Sequence, residues 1–132
     1  MATTKHEVRS STRETHLCYF EATSGAAGAI PSTFTRSREI VSVTNDGTAK
    51  TWTFVIEAPG AVALLSMSPN IVNASYSAST SVTKAEILSE TVNGSAKNIV
   101  VQFRKNDGTP TSPASGDVVK IRFDFKRSQG LA

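Results

Sequence analysis

At 132 residues the chain has room for one domain with a real core, since roughly two-thirds of the unfolded surface is removed from water at this size. With Cys18 its lone cysteine, the chain can form no intrachain disulfide, and no cysteine-based metal site is expected. The net charge of +3, from 14 Lys and Arg against 11 Asp and Glu, is spread along the chain, whereas a dedicated nucleic-acid binder concentrates its cations in one patch.

Ser and Thr account for 33 residues, a composition that suits strands and turns better than long helices. The N-terminal stretch MATTKHEVRSSTRETH has no apolar segment of the kind a signal peptide requires. No window of 18 apolar residues exists, so no membrane-spanning helix is expected and synthesis in a cytoplasm is. Asn73-Ala-Ser75 and Asn93-Gly-Ser95 match the glycosylation pattern, but such matches arise by chance in a chain this rich in Ser and Thr.

In chain order, residues 1–15 form a polar arm whose one large apolar residue is Val8. His16 to Glu21 reads as a strand apolar on both faces, Leu17 and Tyr19 on one and Cys18 and Phe20 on the other, as in a strand covered from both sides. Residues 22–37 are small and glycine-rich and read as a connector, pinned at Ile30 and Phe34. Glu39 to Thr44 is a strand with Val41 and Val43 on one side, and Asn45-Asp46-Gly47 offers the positive-φ positions of a tight hairpin. Lys50 to Ile56 places Trp52, Phe54 and Ile56 on a core face.

Ala58-Pro59-Gly60 and Ser68-Pro69-Asn70 read as turns that bracket a strand over 61–67, and a further strand follows over 71–79 with Val72, Ala74 and Tyr76 in phase. Thr83 to Val92 carries a capping-box match at Thr83 and Glu86, yet alternates and precedes Asn93-Gly94, so a strand and a hairpin are favoured over a helix. Lys97 to Arg104 sets Ile99, Val101 and Phe103 inward, and 106–116 is an exposed loop. The clearest element closes the domain: in Asp117 to Arg127, Val119, Ile121, Phe123 and Phe125 alternate with Lys120, Arg122, Asp124 and Lys126. The sum is an all-β, two-sheet antiparallel sandwich or jelly roll of about eight strands over 16–127, between the arm and a short tail at 128–132.

Chemistry is hard to find. His6 and His16 lie in or beside the arm, there is no Gly-x-Ser-x-Gly, and no phosphate-binding glycine loop occurs. Asp46 and Asp107 belong to two copies of Asn-Asp-Gly-Thr and read as turn residues. Glu86 and Glu90 fall about 13 Å apart along a strand and are not marked as a catalytic pair. The expectation is therefore no catalytic residue, no cofactor and no metal. Lys120, Arg122 and Lys126 with Arg104 and Lys105 would form a basic stripe, but Phe103, Phe123 and Phe125 fall on the opposite face, so a solvated or partner-facing surface is favoured over nucleic-acid binding.

A polar arm, a two-faced strand and no visible chemistry are the features of a chain that builds an assembly. Interface positions on this reading are Val8, Arg9, Arg13, Leu17, Tyr19, Phe20, Ile30, Phe34, Lys120 and Arg122. The size, the single cysteine, the Ser/Thr-rich short strands, the Asn-Asp-Gly turns and the ending Gly116-Asp-Val-Val-Lys-Ile-Arg-Phe-Asp-Phe-Lys126 resemble small β-sandwich virion proteins of tailed bacteriophages, capsid decoration (cement) proteins above all. That resemblance implies a small homo-oligomer, a trimer by preference, clamped on the capsid exterior with arms reaching neighbours and the major capsid protein. The alternative is a receptor- or glycan-binding sandwich of a phage tail fibre, which would present a cluster of exposed aromatics.

Overall fold

The computed structural model describes residues 15–92 and 96–127. Most of the arm, with His6, Val8, Arg9 and Arg13, lies outside them, as do Asn93-Gly94 and the tail. Among the described residues there are eight strands: β1 (Thr15–Thr23), β2 (Arg36–Arg38), β3 (Ile40–Asp46), β4 (Thr51–Glu57), β5 (Ala61–Val72), β6 (Val82–Thr91), β7 (Ala96–Lys105) and β8 (Val118–Arg127). They form two antiparallel four-stranded sheets, ordered β2-β1-β8-β5 and β3-β4-β7-β6.

The alternation in β8 has the predicted facing: Val119, Ile121, Phe123 and Phe125 are fully buried and Lys120 and Arg122 are exposed. Central strands must cover one face with core, and β1, β4, β7 and β8 each do so with every second residue. An aromatic cluster joins the sheets. Phe20 of β1 meets Phe54 of β4 edge-on at 5.1 Å and Trp52 at 5.9 Å, while Phe54 meets Phe123 at 5.2 Å and Trp52 meets Phe103 at 4.9 Å. Trp52 is core, as its phase predicts, and its indole N–H donates to the Gly28 carbonyl at 3.0 Å. The connector is thereby tied under the core by a 3-10 turn at Ala26–Gly28, and Ile30 and Phe34 pack against the core as expected.

The Thr83–Val92 stretch is strand β6, paired along β7. Its β-branched and alternating residues outweigh the capping-box match, because a partner strand satisfies its backbone. Ala58-Pro59-Gly60 is a true turn: Ala61 N–H donates to the Ala58 carbonyl at 3.1 Å and Gly60 has φ +80°. Proline before a positive-φ glycine is the type II signature.

Other expectations need correction. Ser68-Pro69-Asn70 is not a turn: β5 runs unbroken through it, with Pro69 opposite Ile121. Among the described strands β5 pairs with β8 alone, and an edge strand tolerates a residue that lacks an N–H. Residues 73–81 are correspondingly loop, not the strand anticipated over 71–79. Gly47 does not supply the positive φ of the β3–β4 connection; Lys50 does, at +61°. The Asp46 carboxylate instead accepts from the Thr48 and Ala49 amides at 3.0 and 3.1 Å. Asp107 repeats the pattern with the Thr109 amide at 2.9 Å, so both Asn-Asp-Gly-Thr copies act as Asx turns. The 106–116 loop is not wholly exposed either: Pro113 is buried, and its carbonyl accepts from the Gly28 amide at 2.9 Å.

Val41 and Val43 do not share a face. A bulge between Ile40 and Ser42 turns Val41 outward, 60% exposed, and leaves Ile40 and Val43 packed on the core. The same device recurs at Val62 and Leu65 in β5 and at Leu88 in β6. Each is the extra residue of a register shift on an edge strand, and each is an exposed large apolar side chain.

Candidate interaction surface

The outer face of the β2-β1-β8-β5 sheet carries the side chains of interest. On β1, Cys18, Phe20 and Ala22 point inward, so Leu17, Tyr19 and Glu21 point out. Antiparallel register then fixes their neighbours. Tyr19 lies between Arg38 of β2 and Arg122 of β8, and Glu21 between Arg36 and Lys120. Across β8, Arg122 faces Ser68, Lys120 faces Asn70, and Asp124 faces Ser66, whose hydroxyl donates to it at 3.1 Å. A shallow groove of about 210 Å3 runs over this surface beside Tyr19, Arg36, Asn70, Lys120 and Arg122.

Five cations, Arg36, Arg38, Lys120, Arg122 and Lys126, meet two carboxylates on this face, Glu21 and Asp124. The Arg36–Glu21 and Arg122–Asp124 pairs stand at 3.3 and 3.5 Å with their arginines well exposed. Pairs so exposed contribute little to stability and leave the field positive. At the centre sit Leu17 and Tyr19, 37% and 36% exposed. Tyr19 has an arginine on either side, whereas Leu17 has Asp124 opposite it on β8. The outer face of the other sheet differs. It offers Thr44, Thr53, Val55, Asn98 and Val100, and its main charge, Arg104, is bound to Glu86 at 2.5 Å and to the Gly108 carbonyl at 2.7 Å.

Of the interface positions read from the sequence, Leu17, Tyr19, Lys120 and Arg122 lie together here. Phe20, Ile30 and Phe34 do not: Phe20 is 1% exposed at the centre of the core, and Phe34 meets its ring edge-on at 4.9 Å. The two-sided burial anticipated for β1 is thus one-sided within the described chain, because the sandwich covers only its inner face. The basic stripe is also corrected: Arg104 and Lys105 belong to the opposite sheet from Lys120, Arg122 and Lys126. Arg36 and Arg38 take their place. Nothing local marks those two as sheet residues, since β2 is three residues long and follows a glycine-rich connector; only the pairing with β1 reveals them.

The fold also brings His16, Cys18 and Glu39 to one corner, although the histidine and cysteine belong to one strand and the glutamate follows another. Burial, with the Glu39 charge second, pushes the Cys18 thiol up to about 12. No protein-family model matches the sequence, and comparison with curated proteins and with solved structures yields no match.

Proposed function

We propose that this chain is a non-enzymatic structural subunit of a virion, a capsid decoration or cement protein that acts as a small homo-oligomer on the shell exterior. The observation that carries the reading is the outer face of the β2-β1-β8-β5 sheet, where Tyr19 sits exposed on a central strand between Arg38 and Arg122, with exposed Leu17 next along the same face and Arg36 and Lys120 beyond on the other side. Burying that apolar pair supplies the non-directional part of an attachment, and the flanking cations select an acidic counter-surface and its register. The whole-chain resemblance to phage cement proteins supplies the virion context, and the sandwich architecture is compatible with it. Exposed apolar residues at the edge bulges add further contact points for a crowded lattice.

The trimeric state and the major capsid protein as partner belong to the same proposal. The reading is tested by the mass of the purified protein, alone and after mixing with capsid shells. A multiple of the 14.0 kDa chain is expected, together with co-sedimentation on shells. Tyr19→Asp with Leu17→Asp should abolish both while the protein still unfolds cooperatively, because neither side chain enters the core. A wild-type protein of single-chain mass that also ignores shells would refute the proposal.

A further inference from the structure

His16 and Cys18 are two apart on β1, so the ring and the thiol project from the same face of the strand. Glu39 is the single residue between β2 and β3, at the point where the chain leaves one sheet for the other. One carboxylate oxygen, Glu39 Oε2, is the meeting point: His16 Nε2 makes a short hydrogen bond to it and the Cys18 thiol donates to it at 4.0 Å. The nitrogen, the sulfur and the oxygen all lie within 4.8 Å of one another.

Glu39 is held there against its own backbone preference. Its φ is +64°, a left-handed conformation that a residue with a Cβ rarely adopts. The Glu57 amide donates to its carbonyl at 2.9 Å and fixes the corner, while Arg38 stands 3.7 Å from the other carboxylate oxygen, Oε1. His16, Glu39 and Glu57 line one cleft of about 430 Å3, with Pro59 and Arg127.

We propose that His16, Cys18 and Glu39 form a metal site of the Zn2+ class that clasps β1 to the β2–β3 crossover, with its fourth position opening on the cleft beside Glu57. The donor set decides the class: one imidazole nitrogen, one sulfur and one carboxylate oxygen suit a borderline-soft divalent ion and exclude the all-oxygen shells of Ca2+ and Mg2+. The geometry is close to what such an ion needs. Tetrahedral zinc with ordinary bond lengths holds unlike donor atoms about 3.4–3.6 Å apart; the Cys18 sulfur stands 4.0 Å from the Glu39 oxygen, and the hydrogen-bonded His16 nitrogen and Glu39 oxygen would part by about 1 Å to admit the ion.

Charge balance points the same way. A divalent cation between the Cys18 sulfur and the Glu39 carboxylate neutralises two anionic donors in a half-enclosed corner, and the thiol proton leaves to solvent on binding. A His16–Glu39 ion pair alone would account for two of the three groups but not for a buried thiol aimed at the same oxygen. Arg38 at the distal carboxylate oxygen is the outer partner that orients a metal-ligating carboxylate.

The test uses the full chain, stripped with a chelator and titrated with Co2+ as a spectroscopic stand-in for Zn2+. One equivalent should give a sulfur-to-cobalt charge-transfer band and the visible bands of a four-coordinate centre, and Zn2+ should displace both. Cys18→Ser should lose the charge-transfer band. His16→Gln and Glu39→Gln should each weaken binding roughly tenfold or more, at least the loss that even an outer partner of a ligand produces. Zn2+ should also raise the thermal midpoint of the wild-type protein and leave that of Cys18→Ser unmoved. The wild-type spectrum needs no variant to fold: a folded protein that shows no charge-transfer band with Co2+ overturns the site, as does binding that survives both Cys18→Ser and Glu39→Gln.

Discussion

Phe123 and Lys120 stand three positions apart in β8 on opposite faces, one fully buried against Phe54 and the other in solvent. Phe123→Ala should therefore cost about 3–5 kcal/mol, the transfer and cavity terms together. Lys120→Ala should stay within about 0.5 kcal/mol. Denaturant unfolding of both variants checks the facing, and equal losses would contradict it. Asp107 offers a test of the turn chemistry. The Thr109 amide, its hydroxyl second, holds the Asp107 carboxyl below its ordinary value of 3.8. A group with a depressed folded pKa stabilises above its unfolded value and loses that contribution as pH falls through the folded one. Its carbon-13 titration should then show a midpoint under 3.8, and a midpoint at or above that figure would remove the Asx turn from the account. Residue facings of this kind were legible because period two is a local signal. The meeting of His16 and Cys18 with Glu39 was not, since it depends on how β1 sits against a crossover with which it shares no sequence pattern.

Among the strands, the four central ones were readable with their facing, whereas at the edges β3 and β6 were anticipated as strands but the facing within β3 and the extent of β5 were not. β1, β4, β7 and β8 must each bury a full alternate set, which leaves an unbroken pattern. Edge strands β3, β5 and β6 carry bulges, each of which shifts the phase by one residue and has no compositional marker. Pro69 misled in the same way, because proline signals a turn in most contexts and an edge position only once the sheet order is known. The bulge in β3 makes a sharp prediction. Val41→Ala should change stability by no more than about 0.5 kcal/mol, whereas Val43→Ala should cost about 1–2 kcal/mol, part of the value of burying a valine. Thermal or denaturant unfolding of the pair decides it, and a larger loss at Val41 would mean that the strand keeps a single phase. These outward apolar residues also bear on solubility: a bulge twists an edge away from flat pairing with another sheet, which limits the aggregation that exposed Val62, Leu65 and Leu88 would invite.

Across the whole molecule, the first described strand and the last are hydrogen-bonded neighbours, from Thr15 opposite Lys126 to Thr23 opposite Val118. β8 also pairs with β5, so it is the strand through which half of the sandwich is joined. A chain ending at residue 117 should accordingly lack cooperative unfolding and near-ultraviolet circular dichroism, since β1 and β5 would have no partner between them; a truncated protein with a sharp transition would contradict this. Sequence reading recovered the class, two antiparallel sheets from about eight strands, because alternation and turns are local. Strand order was beyond it, because pairing between segments a hundred residues apart leaves no trace at either one. That arrangement has a consequence during biosynthesis. Until β8 has left the ribosome, β1 and β5 of the nascent chain lack the strand that pairs with both, and their open backbone edges stay available to wrong partners after the aromatic cluster of Phe20, Phe34, Trp52 and Phe54 has already been made.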